Sequence, residues 1–150
     1  MELSSVFAIL DKIIEIEKVG VLSTMDGENR PHMRWMTPTI LHGREGFLYA
    51  VTSPKYAKIS QISERADVEW LFQNRTLNEI INVGGKMNLL DTPSAKSEVL
   101  EAIGPHLQIF WRVNREESDL VVLETVIRTI SYFNPLDGIR ESFTLPGGVQ

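Results

Sequence analysis

The sequence of 150 residues contains no cysteine. Disulfides, thiolate metal sites and cysteine nucleophiles are therefore excluded. Histidine is scarce, and His32, His42 and His106 lack the close spacing of a zinc-binding motif, so we expect no metal site. No apolar run is long enough for a membrane helix, and the start of the chain lacks the basic and apolar segments of a secretory signal. These absences predict a cytoplasmic protein with no membrane partner.

The charge balance is acidic, with a formal net charge of −5 and no cluster of basic residues. We therefore expect no nucleic-acid partner, because a phosphate backbone requires a basic face. Hydrophobic residues make up 43% of the chain and charged residues 23%, which is typical of globular proteins. A chain of this length can bury one core, so we expect a single domain over residues 1–150.

Apolar periodicity predicts both strands and helices. Six segments have the pattern of strands, namely residues 19–25, 32–41, 47–52, 66–73, 77–91 and 119–133. Three have the pattern of helices, namely residues 3–18, 54–63 and 92–103. We expect Ser4 or Ser5 to cap the first helix, and Thr92, followed by Pro93, to cap the last. The tail after residue 134 shows no clear period.

Glycine and proline divide this pattern into a meander of mostly antiparallel strands. Asp26-Gly27 is a hairpin signal between the first two strands, and Pro38 indicates an edge or a bulge in the second. Gly84-Gly85, inside the fifth strand, predicts a bulge or a bend of the kind that turns the corner of a barrel. We expect an α+β domain built on a small barrel or a strongly curved sheet.

The stretch YAVTSPKYAKISQ at residues 49–61 is a candidate phosphate site. Thr52 and Ser53 place hydroxyls at the start of a predicted helix, whose free amides favour an anion, and Lys58 adds a positive charge. Taken alone, the same residues favour the more common interpretation, a capped helix with solvated lysines in which Ser53 is the cap.

The second predicted strand, HMRWMTPT, carries another candidate. Alternation places Arg34 with Met36 on one face and Met33 with Trp35 on the other. Arg34 could supply a second cation, and the backbone of its neighbours could hydrogen-bond a flat ring. The alternative is an outward, solvated Arg34 with Trp35 in the core.

In their order along the chain, the motifs resemble a known family. The segments VLSTMDGENRPHMRWM, GFLYAVTSPKYAKISQI, ADVEWLF, a glycine-broken strand ending in LLD, and SDLVVLETVIRTISYFNP are similar to the pyridoxamine 5′-phosphate oxidase-like FMN-binding split barrels. The smaller general-stress-protein-type members are the most similar. The resemblance spans nearly the whole chain and implies a six-stranded, mostly antiparallel split β-barrel with flanking helices. It also implies a homodimer with FMN at the interface.

The resemblance also implies roles for particular residues. Arg34 takes the place of an arginine near the FMN phosphate, and the segment TSPKYAK aligns with the phosphate-binding segment without a gap. The implied phosphate-binding residues are Arg34, Thr52, Ser53 and Lys58, with Gln61 following them. At the isoalloxazine edge, the implied contacts come from the backbone of Trp35, Met36 and Thr37.

Some positions depart from the full oxidases of this family. Tyr56 and Ala57 stand where those enzymes carry a serine and an arginine, and Thr39 stands where they carry a lysine. The tail LDGIRESFTLPGG also lacks their C-terminal substrate-binding pattern. The departures argue against vitamin B6 oxidation.

The favoured function is an FMN-dependent oxidoreductase with NAD(P)H as a candidate reductant, and no side chain is assigned as acid or base. The alternatives are a non-enzymatic flavin carrier, sensor or store, a split barrel that binds the deazaflavin F420 or haem, and a barrel that has lost its ligand. A physical indication of dimerisation is the strand at 119–133, which is apolar on both faces. Either a second subunit or a helix of the same chain could cover the second face.

Overall fold

The computed structural model describes residues 1–53, 66–104 and 120–146. These residues form two helices and a seven-stranded antiparallel sheet. The helices are α1 (Leu3–Glu17) and α2 (Pro93–Ile103). The strands are β1 (Gly20–Met25), β2 (Pro31–Met36), β3 (Phe47–Thr52), β4 (Ala66–Gln73), β5 (Ile80–Leu90), β6 (Val121–Asn134) and β7 (Ile139–Thr144). The α+β class is as predicted.

The sheet curves round until its two ends meet. Its strand order is β2-β1-β4-β5-β6-β3, with β7 added to β6. The end strands are joined by an isolated bridge in which Thr39 and Tyr49 exchange two backbone hydrogen bonds, of 2.7 and 2.9 Å. A sheet closed by so short a contact is a split barrel, which confirms the expected architecture.

The sequence predicted six strands, and β7 is the seventh. Its residues are exposed or half-buried along their whole length, so the strand lacks the apolar alternation by which a strand is recognised. The predicted second strand is shorter than expected and ends at Met36, before Pro38, which has no amide hydrogen to continue the ladder.

The glycine pair produces the expected bulge. Gly84 pairs with Thr129 and Gly85 pairs with Ile127, which leaves Arg128 as the extra residue on β6. A Cβ on Gly85 would collide with the carbonyl oxygen of Val126. The glycine is therefore required by the close approach of the two backbones.

The turn between β1 and β2 spans five residues, because Met25 pairs with Pro31. The Asp26 carboxylate organises it by accepting hydrogen bonds from the amides of Glu28 at 2.8 Å and Arg30 at 3.0 Å. The positive φ falls on Asn29, at 62°, rather than on Gly27. The Asp26-Gly27 pair thus predicts the position of the hairpin but not the backbone conformation of its turn.

The two helices begin in different ways. Thr92 caps α2 as predicted, since its hydroxyl accepts a hydrogen bond from the amide of Ala95 at 3.3 Å. The predicted cap of α1 by Ser4 or Ser5 is wrong: Glu2 holds that position, without a side-chain hydrogen bond. The predicted helix at 54–63 lies outside the described residues. Within the described ranges, neither helix is long and apolar enough to cross a membrane.

Buried side chains form two clusters on opposite faces of β3 and β6. The larger cluster fills the barrel and includes Trp70 and Phe72 of β4 together with one face of α1. The smaller one lies between α2 and the outer side of β3 and β6, and includes Val99, Ile103 and Val122. A helix of the same chain therefore covers the second apolar face of β6, and that pattern gives no separate argument for a dimer.

Substitution of Gly85 by alanine should lower the free energy of unfolding by about 1–3 kcal/mol, because the new methyl group meets backbone rather than a movable side chain. Urea denaturation measures the loss. Gly27→Ala is the matched control: a Cβ there meets nothing within 4 Å. We expect that variant to stay within about 0.5 kcal/mol of the natural chain. Equal stabilities for the two variants would show that the bulge does not require a glycine.

Candidate functional site

Arg34 points toward the inside of the barrel. Its register partner on β1 is Leu22, which is fully buried in the barrel cluster. The Nη2 atom of Arg34 donates a 2.9 Å hydrogen bond to the hydroxyl of Thr24, a residue that is 1% exposed. Burial lowers the pKa of Arg34 from its ordinary value without depriving it of charge. A guanidinium partly removed from water favours an anionic neighbour.

The opposite side of β2 is exposed. Trp35 is 53% exposed and Met33 is 70% exposed. The alternative of a solvated Arg34 with Trp35 in the core is therefore wrong. Of the two arrangements that alternation allowed, the chain adopts the one that keeps the cation near the barrel and the aromatic ring outside it.

Thr52 and Ser53 lie at the end of β3. Thr52 is buried and shares its face of the strand with Leu48 and Ala50, which belong to the barrel cluster. Ser53 follows directly after the strand. The hydroxyl of Thr52 and the guanidinium of Arg34 therefore lie on barrel-facing sides of their strands.

The Thr39–Tyr49 bridge brings these two segments to the same end of the barrel. Because the bridge is antiparallel, residues before Thr39 and residues after Tyr49 lie on the same side of it. Met36 and Thr37 therefore lie on the same side of the bridge as Val51 and Thr52. The β1–β2 ladder ends at Met36, so the peptide group at Thr37 lies beyond its last pair.

The donor set suits a phosphate ester with an attached ring. It combines a partly desolvated guanidinium, the hydroxyls at 52 and 53, and backbone beyond the end of β2. Lys58 and Gln61, which the sequence adds to this set, lie outside the described residues. Thr24 was missed by sequence reasoning, although the register of the predicted hairpin would have placed it next to Arg34.

A buried tyrosine supports the bridge from the opposite face of β3. The hydroxyl of Tyr49 accepts a hydrogen bond from Nη1 of Arg44 at 2.6 Å and donates one to Oε2 of Glu124 at 2.9 Å. Burial raises the pKa of Tyr49 to about 12, against the opposing effect of Arg44. No sequence pattern predicts this triad, because Glu124 is 75 residues away from Tyr49.

Within the described residues, no three side chains of histidine, aspartate or glutamate are grouped to hold a metal ion. His32 contacts the Oδ2 atom of Asp26 at 2.8 Å in the hairpin, and His42 lies in a surface turn. His106 lies outside the described ranges.

Comparison with known proteins supports the fold. No protein-family profile and no curated protein matches the chain. General Stress Protein 26 from Bacillus anthracis matches with a TM-score of 0.67 at 24% identity, over 97% of this chain and all of that one (100%). A related protein of the pyridoxinephosphate oxidase family from Clostridium acetobutylicum has a TM-score of 0.72 at 12% identity, over 94% and 95% of the two chains.

A third solved structure is a pyridoxamine 5′-phosphate oxidase-related, FMN binding protein from Nostoc punctiforme. It matches with a TM-score of 0.64 at 11% identity, over 98% of both chains. These names agree with the family that the sequence motifs resemble. At such identities the likeness establishes the fold: the chain has the architecture of the pyridoxamine 5′-phosphate oxidase-related split barrels.

Ionisation of Tyr49 should make the protein less stable at high pH. A tyrosine whose pKa is raised on folding contributes stability below pH 10, and that contribution is lost as the pH rises toward 12. The expected loss is about 2–3 kcal/mol, from about 1.4 kcal/mol for each pKa unit. Urea unfolding at pH 9, 10 and 11.5 measures it. The decrease in the free energy of unfolding with rising pH should be smaller in Tyr49→Phe. An equal decrease in the two proteins would show that Tyr49 is not the group responsible.

Proposed function

We propose that the protein binds FMN and acts as an oxidoreductase, with the flavin held at the interface of a homodimer. The observation that carries the proposal is the inward-facing Arg34. Its guanidinium is partly buried on the barrel-facing side of β2, and the Thr39–Tyr49 bridge links the segment after β2 to β3, whose end carries residues 52–53. An arginine in this environment favours an anion, and the fold is shared with a structure described as FMN binding.

Each part of the proposed site has a distinct task. Arg34, Thr52, Ser53 and Lys58 bind the phosphate, and Gln61 lies next to them in sequence. The backbone of Trp35, Met36 and Thr37 contacts the edge of the ring. FMN, when bound, supplies hydride and electron transfer, which none of the side chains could perform. The protein fixes the position of the flavin, and NAD(P)H is the proposed reductant.

The substrate is not the one handled by the true pyridoxamine 5′-phosphate oxidases. The tail that lacks their substrate-binding pattern folds as β7, an edge strand whose side chains are mostly exposed. Thr39, which replaces their lysine, is committed to the bridge with Tyr49. We therefore propose a small flavin oxidoreductase, composed of a single domain, with a different substrate.

Binding of FMN should depend on the two phosphate cations. Arg34→Ala and Lys58→Ala should each weaken binding roughly ten- to a hundredfold, since each removes a contact to a charged group worth about 1.5–3 kcal/mol. Fluorescence titration with FMN measures the change. Lys12→Ala, which removes an exposed cation of α1, is the control and should bind normally. Unchanged affinity in both site variants would overturn the phosphate assignment.

The absorption spectrum of the purified protein separates the oxidoreductase from its alternatives. Flavin bands that NAD(P)H bleaches are expected for an oxidoreductase, whereas bands that resist bleaching would indicate a carrier, sensor or store. A colourless protein that fails to bind added FMN would exclude the proposed function and leave F420 and haem to be titrated in the same way.

A further inference from the structure

The outer face of β1 and β2 carries an exposed apolar surface. Met25, Met33 and Trp35 are 42%, 70% and 53% exposed. The register pairs Val21 with Trp35 and Ser23 with Met33, so these side chains stand together on the side of the sheet away from the barrel interior. We call this surface, with the adjoining outer residues of β4, the outer face.

Two clefts adjoin the outer face. One, of about 350 Å³, has walls formed by Ser23, Met25, Glu69, Gly84 and Arg128, among others. The other, of about 500 Å³, is formed in part by Val21, Trp35, Leu71 and Leu77. The surface thus combines protruding apolar side chains with hollows large enough to receive such side chains.

Arg128 is the notable polar residue of the first cleft. The bulge directs it there, since it is the extra residue of β6. Its Nε atom is inaccessible to solvent and has no hydrogen-bond partner among the described residues. The residue as a whole is half-buried and lines the cleft, so a carboxylate of a second molecule can approach the remainder of its guanidinium.

Glu69 is a matching acceptor on the same surface. It lines the same cleft, and in the described part of the chain it forms no ion pair, with Arg128 or with any other residue. The outer face therefore presents a cation and an anion that are close to each other but not paired. A two-fold axis can bring the cation of one copy to the anion of the other.

We propose that the outer face is the self-association surface of this protein, and that Arg128 of each copy pairs with Glu69 of the other. The inference rests on the proposed homodimer. It adds the surface through which the two copies associate and the ion pair that orients them. Two copies that each carry a net charge of −5 repel one another, and an attractive pair of this kind offsets part of that repulsion and sets the orientation of the copies. The same patch supplies the apolar area.

Charge reversal tests the pairing. Sedimentation velocity over a range of micromolar concentrations gives the dimer dissociation constant of the natural chain. Arg128→Glu and Glu69→Arg should each raise that constant roughly tenfold or more, because each places like charges opposite one another. The double variant restores the pair with its signs exchanged and should return to within a few-fold of the natural value.

Two further variants keep the test independent of folding. Met33→Glu changes a side chain that is 70% exposed, so it should fold normally and still weaken the dimer roughly tenfold if the outer face is buried in it. Glu101→Arg reverses an exposed charge on α2, on the other side of β3 and β6, and should leave the dimer unchanged. Circular dichroism confirms that each variant is folded.

The outcomes separate this inference from the proposal on which it rests. A natural chain that stays monomeric at high concentration would remove the homodimer itself. A natural dimer that withstands Met33→Glu and both charge reversals would overturn the outer face as the interface while leaving the homodimer intact. Weakening by Met33→Glu without rescue in the double variant would overturn the pairing of Arg128 with Glu69.

Discussion

The two backbone hydrogen bonds between Thr39 and Tyr49 determine where everything else in the site can lie. They join the two ends of the sheet, β2 and β3, which form no ladder with each other in the described strands. Without them Arg34 and Thr52 would belong to opposite edges of an open sheet. The buried hydroxyl of Tyr49, held between Arg44 and Glu124, fixes one side of this contact. A polar network on the outside of β3 therefore supports the bridge near the candidate site on its inside.

Local signals in the sequence predicted the elements that local chemistry specifies. The bounds of β3 and β4, the capping of α2 by Thr92, and the irregularity at Gly84-Gly85 all follow from periodicity or from a single residue type. The prediction failed where exposure or distance removed the signal. β7 is an edge strand with no buried side, and α1 begins at Glu2 without any side-chain cap.

In the candidate site, too, some features follow from local sequence patterns and others depend on distant residues. Residues 34–37 and 52–53 remain predictions from the sequence, and the direction of Arg34 could not be predicted, because alternation defines two faces without saying which is inside. The hairpin register resolves it by pairing Arg34 with buried Leu22. The contact between Tyr49 and Glu124 could not be predicted at all, since nothing local links residues so far apart. Likewise, the apolar character of both faces of β6 has its explanation in α2, which packs there from the same chain.

The bulge has a consequence for the phase of β6. Before it, the side chains that enter the barrel have odd numbers, as at Leu123, Thr125 and Ile127; after it they have even numbers, as at Ile130 and Tyr132. The strand thus consists of two halves, joined at Arg128, in which the inward-facing side chains change from odd to even residue numbers. Deletion of Arg128 would restore regular alternation and leave the inward side of both halves unchanged, whereas deletion of any other single residue within one half would turn part of the strand inside out. In an alignment of such chains, a one-residue gap at this position therefore indicates a strand without the bulge, whose two faces are preserved.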